Sequence, residues 1–144
     1  MFCPTSNLFI GSGLFDLAAL RSPDRAVRLA LATDIGGGTS YSMLRTAAEG
    51  YKVLQLGGQN LPALAAFHMM TRGNALALDL GGSIGTIEPG CFADLVVLDA
   101  KATPAMAHRM ETVEGDLDEE LFVLMTLGDD RAVRETYVQG RASK

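Results

Sequence analysis

Leu29-Ala30-Leu31-Ala32-Thr33-Asp34-Ile35-Gly36-Gly37-Gly38-Thr39-Ser40 carries an apolar run directly into a carboxylate, a glycine triplet and two hydroxyl residues. Val27, Leu29 and Leu31 alternate with Arg28, Ala30 and Ala32, which predicts a strand over 27–32 whose small alanines leave both faces open to burial. In a β/α barrel the parallel strands are buried, and residues at their C-terminal ends project into the cleft where chemistry is done. Asp34 then stands at the mouth of a barrel, where a polar group is costly unless it has a partner. The same residue also suits a helix N-cap or a turn carboxylate, and spacing alone leaves these roles open. The triplet lacks the GxxxxGK[ST] pattern and a nearby lysine, so it reads as a place where backbone approaches a ligand closely, not as a phosphate cradle.

Before this stretch, Cys3-Pro4-Thr5-Ser6-Asn7 has turn chemistry and leads through Gly11 and Gly13 to a short helix over 14–20, broken by Ser22-Pro23-Asp24. After it, Leu44, Ala47, Ala48, Tyr51 and Leu54 recur at helical spacing within 40–56, and Gly57-Gly58 ends that helix. Pro62 opens a further helix with Leu64, Phe67, Met70 and Leu78 expected on its buried face, and Met69-Met70 as core. Beyond Gly81-Gly82 the period changes. Glu88-Pro89-Gly90 suits a type II turn, and Leu95-Val96-Val97-Leu98 reads as a buried strand. The acidic run from Glu111 to Glu120 is a solvated face; Leu117, Leu121, Leu124 and Met125 give one more helix, stopped by Gly128. A polar turn at Asp129-Asp130-Arg131 precedes a strand from Val133 to Val138. Two regions result: an α/β portion over 1–80, and a β-rich segment with one helix over 81–144.

The chain has 144 residues, 48% of them apolar, which is enough for one hydrophobic core. A complete eight-stranded barrel needs roughly 250 residues, so the barrel reading makes this chain part of one. A formal net charge of -5 disfavours a nucleic-acid or anionic-membrane surface and suits a small neutral substrate. Cys3 and Cys91 lack CxxC spacing and read as buried, inert thiols of a reducing compartment. With neither a membrane-length apolar run nor a leader pattern, the expectation is a cytoplasmic protein. His68 and His108 form neither HxH nor HExxH, so no complete zinc site can be written from these residues. Ser6 and Ser40 have no suitably placed histidine to make them nucleophiles.

Phe2-Cys3-Pro4-Thr5-Ser6-Asn7-Leu8, Ala32 to Ser40, Ser42-Met43-Leu44-Arg45, Ile84 to Gly90 with Ala93 to Asp99, and Leu127-Gly128-Asp129-Asp130-Arg131, in that order, resemble the guanine deaminase family. The block from Glu88 to Asp99 is common to many metal-dependent amidohydrolases. Those at Cys3–Asn7, Thr33–Gly38 and Leu127–Arg131 point more narrowly to guanine deaminases.

The resemblance implies α/β architecture: the C-terminal part of a distorted (β/α)8 barrel, plus C-terminal strands of a small β domain built from both chain ends. It implies one zinc ion (Zn) and hydrolysis of guanine to xanthine and ammonia. Asp34 matches the family's aspartate after the eighth strand, a metal ligand that is also catalytic, taking a proton from the zinc-bound water. Zinc lowers the pKa of its water toward about 7, and an adjacent carboxylate can accept that proton. The family's histidine ligands and its proton-shuttling glutamate precede the matched region, so the resemblance implies a chain inert alone. Uncovered edges and faces then predict self-association or pairing with an N-terminal piece. Deamination of another purine or a pterin is the alternative within the enzyme class, and a noncatalytic assembly module is the alternative outside it. Asn7 and Arg45 fall near the site without an assigned contact, and the substrate-binding residues are not identified.

Overall fold

The computed structural model describes residues 1–21, 24 and 27–143. Its central element is helix α3 (Met43–Leu56), which turns Leu44, Thr46, Ala47, Gly50, Val53 and Leu54 inward. Ser42 starts it by accepting the Arg45 N–H on its hydroxyl at 3.3 Å, and Gly57 stops it. Helix α7 (Leu117–Leu127) packs against α3 and carries Val123, Leu124 and Met125 into the core. It is entered through Asp116, whose carboxylate accepts from the N–H groups of Asp118 and Glu119 at 3.1 and 3.3 Å. Gly128 ends it, because a Cβ there would run into the Leu124 carbonyl and the Leu44 side chain. Both helices form where expected, except that α3 starts at Met43 and not at 40, and Leu117 is exposed.

Helix α1 (Pro4–Phe9) lies on α3, and α4 (Ala63–Met70) lies on α7. The stretch at 3–7 is therefore not a turn. Proline at the first helical position loses no hydrogen bond, and Thr5 and Ser6 are buried within the helix. The short helix expected over 14–20 contracts to α2 (Leu17–Leu20), capped by Asp16 accepting the Ala19 N–H at 2.9 Å. Of its proposed breaker, Ser22 and Pro23 lie outside the described residues. The buried face of α4 is Ala63, Ala66 and Met69, with Phe67 and Met70 half-buried, whereas Leu64 and Leu78 are exposed. Thr71 breaks the helix, and α5 (Arg72–Ala77) restarts in a new phase, which takes Leu78 off the expected stripe.

The strand expected over 27–32 is a single parallel bridge between Leu31 and Phe2. Phe2 N–H donates to the Ala30 carbonyl at 2.7 Å, and Ala32 N–H donates to the Phe2 carbonyl at 3.0 Å. On the other side a side chain takes the place of a second strand. The Asn74 amide accepts the Leu31 N–H at 3.0 Å and donates to the Leu31 carbonyl at 2.8 Å. Phe2, which is fully buried, stacks on Phe15 with ring centroids 4.3 Å apart and joins Leu31, Leu54, Leu61, Met69 and Met125 in one cluster.

The sheet is antiparallel in the order β1 (Leu95–Leu98), β2 (Val133–Val138), β3 (Arg141–Ser143). Leu95 pairs with Tyr137 and Val96 with Thr136, with a register shift between Val97 and Leu98. Gly90 at φ 99° and the Cys91 N–H bond to the Glu88 carbonyl make the expected turn at 88–91. The third strand follows Gln139 and Gly140, both at positive φ (51° and 76°), as a two-residue type I′ hairpin requires. Contrary to the sequence expectation β1 is not buried: Val96 is 56% and Val97 42% exposed. A run of apolar residues makes the strand, but burial needs a layer on top of it. Pro104–Met110 is helix α6, so the segment over 81–144 holds two α-helices among the described residues where the sequence reading expected one; Thr103 caps it, and Met106 and Met110 enter a second cluster with Leu44, Val123, Leu124 and Ala132. The architecture is thus α/β with antiparallel strands. Among the described residues no helix is long and apolar enough to cross a membrane.

Candidate functional site

Anchored at Leu31, the chain leaves the core and turns sharply. Asp34 sits at φ 50°, a left-handed conformation that aspartate tolerates better than most residues. Its carbonyl accepts the Gly38 N–H at 2.6 Å, which closes the loop. The three glycines serve different ends. Gly36 has φ 115°, a conformation L side chains rarely adopt. A Cβ at Gly38 would overlap the Thr33 carbonyl oxygen. Gly37 has no positive φ, but a Cβ there would come within 2.6 Å of the Ser6 hydroxyl oxygen and 3.5 Å of Asp34 Oδ2.

The Asp34 side chain is exposed, and its partner comes from a distant part of the chain. Ser6 donates its hydroxyl to Oδ2 at 2.7 Å across 28 residues of sequence. Its neighbour Thr5 donates to the Thr33 carbonyl at 3.4 Å, so α1 holds the loop at two successive residues. Asp34 Oδ1 accepts no hydrogen bond among the described residues. Of the roles left open by the sequence, the helix cap is excluded, because Ser42 caps α3. Burial, and next the charge of Asp34, push the Cys3 thiol up, which keeps it protonated at neutral pH. Cys3 and Cys91 are both half-buried and unbridged.

As a metal site the loop fits one ligand position. A carboxylate with one oxygen tied and the other available is a suitable donor, but a catalytic zinc needs about three protein ligands. Among the described residues no three His, Cys, Asp or Glu side chains converge. His68 is exposed on the last turn of α4, and His108 is exposed on α6 with Nδ1 3.5 Å from Glu111.

Beside the loop opens a cleft of about 310 Å³, lined by Thr5, Leu8, Phe9, Thr39, Ser40, Arg45 and Glu49. Arg45 lines this cleft from the first turn of α3, while Asn7 is turned into its own loop, donating to Ser12 Oγ at 3.0 Å. Asp34 is not among the lining residues. Ser6 is the residue that sequence reasoning missed, having weighed it only as a nucleophile. Its burial at the start of α1 shows only in the fold, and no spacing rule connects it to Asp34.

The chain is 49% identical over 140 residues to the guanine deaminase of Escherichia coli, covering 97% of this chain and 31% of that protein. The solved structure of Escherichia coli guanine deaminase superposes with a TM-score of 0.93 at 48% identity, covering 99% of this chain and 33% of that one. An adenosine deaminase from Xanthomonas campestris, solved with bound zinc, superposes at 0.77 with 25% identity over 97% of this chain and 30% of its own. The chain therefore spans about a third of the length of the relatives it matches. With residues 2–142 matching the model of the Amidohydrolase family, almost from one end to the other, this chain belongs to that family.

Proposed function

We propose that these residues are the C-terminal part of a guanine deaminase, with Asp34 as its catalytic carboxylate and one of its zinc ligands. The observation that carries this reading is the Asp34 carboxylate, tied through Oδ2 to Ser6 and exposed on a loop of glycines. The bound zinc would supply Lewis-acid activation of water. Asp34 would contribute a ligand oxygen and accept the proton released as water adds to the amino-bearing ring carbon. The remaining ligands would come from polypeptide outside these 144 residues, and residues 1–80 would be the last strand–helix portion of a (β/α)8 barrel. Residues 81–144 would be the C-terminal strands of a composite β domain, with α7 returning onto α3 and α4.

Guanine is favoured over another purine by the 49% identity to a guanine deaminase over 97% of the chain, against 37% over 69% of it to a 5-methylthioadenosine/S-adenosylhomocysteine deaminase. The accessible faces of β1 support pairing with the upstream part of the enzyme, or self-association, in a cytoplasmic setting that suits two unbridged thiols.

The test combines the purified chain with the upstream two-thirds of the Escherichia coli enzyme and zinc, and follows guanine conversion to xanthine. The chain alone is expected to give no turnover above the metal blank, the combination to be active, and Asp34→Ala to lower its kcat roughly 100-fold or more. Turnover by the chain alone, or an Asp34→Ala combination as active as the unaltered one, overturns the proposal.

A further inference from the structure

We propose that Ser6 is a positioning residue for Asp34: its hydroxyl fixes one carboxylate oxygen so that the other is presented to the metal in a single orientation. This rests on the reading of Asp34 as a metal ligand. The last torsion of an aspartate side chain is broad, so an exposed carboxylate on a loop would sample many orientations. One short bond to a charged acceptor removes that freedom, and such bonds are stronger than those between neutral groups.

The bond is made from fixed parts. Ser6 is 1% exposed, and among the described residues its hydroxyl donates only to Asp34, at 2.7 Å. The helix that carries it is joined to the loop by Thr5 at the Thr33 carbonyl, and to the preceding segment by Phe2 at Ala30 and Ala32. Ser6 and Asp34 are thus held to each other by backbone-level contacts on both sides.

Gly37 supplies a second, independent observation. Its backbone does not demand glycine, yet a Cβ would stand 2.6 Å from Ser6 Oγ, too close for both to remain in place. The glycine at this position keeps clear the space in which the Ser6–Asp34 bond is made. A serine that merely filled space would not need a third residue to be kept clear of its oxygen.

The experiment uses the zinc-loaded enzyme reassembled from this chain and the upstream part of the Escherichia coli protein. It compares Ser6→Ala, Gly37→Ala, Asp34→Ala and the Ser6→Ala/Asp34→Ala double variant. Zinc affinity by chelator competition is the first readout, and kcat and KM for guanine are measured separately. Ser6→Ala and Gly37→Ala are expected to lower zinc affinity about 10- to 100-fold, the range for groups that orient a metal ligand. Each is expected to reduce kcat more than it changes KM. In the Asp34→Ala background Ser6→Ala should cost no further zinc affinity, because its partner is already gone.

Ser6→Ala with unaltered zinc affinity and kcat overturns the proposal. So does an equal loss of affinity in both backgrounds, which is the signature of a general structural role. Ser6→Ala removes a single oxygen, so the result stands even where Gly37→Ala does not fold. An assembly that binds zinc through Asp34 but leaves guanine untouched defeats the substrate assignment, while the affinities still decide the role of Ser6. If Asp34→Ala leaves zinc affinity unchanged, both proposals fall.

Discussion

Leu29–Ala32 and Leu95–Leu98 are four-residue apolar runs of the same kind, yet the molecule treats them in opposite ways. The first makes one bridge, but Ala30 and Leu31 are almost completely buried, under Phe2 on one side and the Asn74 amide on the other. The second pairs with β2 along all four residues, with one register shift, while Leu95, Val96 and Val97 all remain exposed. Hydrogen-bond regularity and burial are therefore separate properties. The run beside Asp34 is held by tertiary packing with little sheet around it; the sheet run pairs on one edge with β2 but among the described residues lacks a covering layer.

Truncating the packed side should hurt most. Phe2→Ala empties a fully buried, stacked ring site and is expected to cost about 3–5 kcal/mol, whereas Val96→Ala on β1 should cost under about 1 kcal/mol. Denaturant unfolding of the two variants measures both, and equal losses would erase the contrast between the regions.

Asn74→Ala sharpens the comparison at the backbone. Leu31 N–H retains the Met69 carbonyl at 3.3 Å, but the Leu31 carbonyl loses its 2.8 Å donor. A buried group left unpaired costs about 1–3 kcal/mol, and the Ala32 and Leu31 amides should exchange faster with solvent deuterium. Unchanged protection of both amides would mean that Phe2 alone holds the segment.

The smallest expected effect lies between α7 and the sheet. Arg131 clasps Asp129 with its guanidinium and backbone N–H, which holds the Asp129 carboxyl down at about 2. A lowered folded-state pKa stabilises fully above the unfolded value of about 3.9, and the gain is lost as pH falls through about 2. Since Arg131 is exposed and Asp129 only half-buried, the effect is small and screened by salt. Asp129→Asn should remove that part of the acid sensitivity between these two values, as read from urea midpoints against pH; an unchanged profile would show that the clasp adds no stability.

The elements legible in the sequence are those whose signals are local. α3 stops at Gly57, α7 stops at Gly128, and β2 keeps its expected bounds because periodicity, helix stops and turn residues agree. What escaped depends on neighbours. The proline, threonine and serine of α1 read as a turn because their burial against α3 is not visible in their types. β1 read as buried because an apolar run does not say whether anything covers it. Asp34 stood out through its position between an apolar run and three glycines, whereas its bond to Ser6 spans 28 residues and follows from no spacing rule.

The Asn74 clip works in one orientation only, nitrogen toward the Leu31 carbonyl and oxygen toward the Leu31 N–H. Hydrolysis of that amide, the familiar ageing reaction of asparagine, would set a carboxylate oxygen against the carbonyl, replacing attraction with repulsion three residues ahead of Asp34. The segment ahead of Asp34 would then loosen at that peptide through a change in a side chain 43 residues away in sequence.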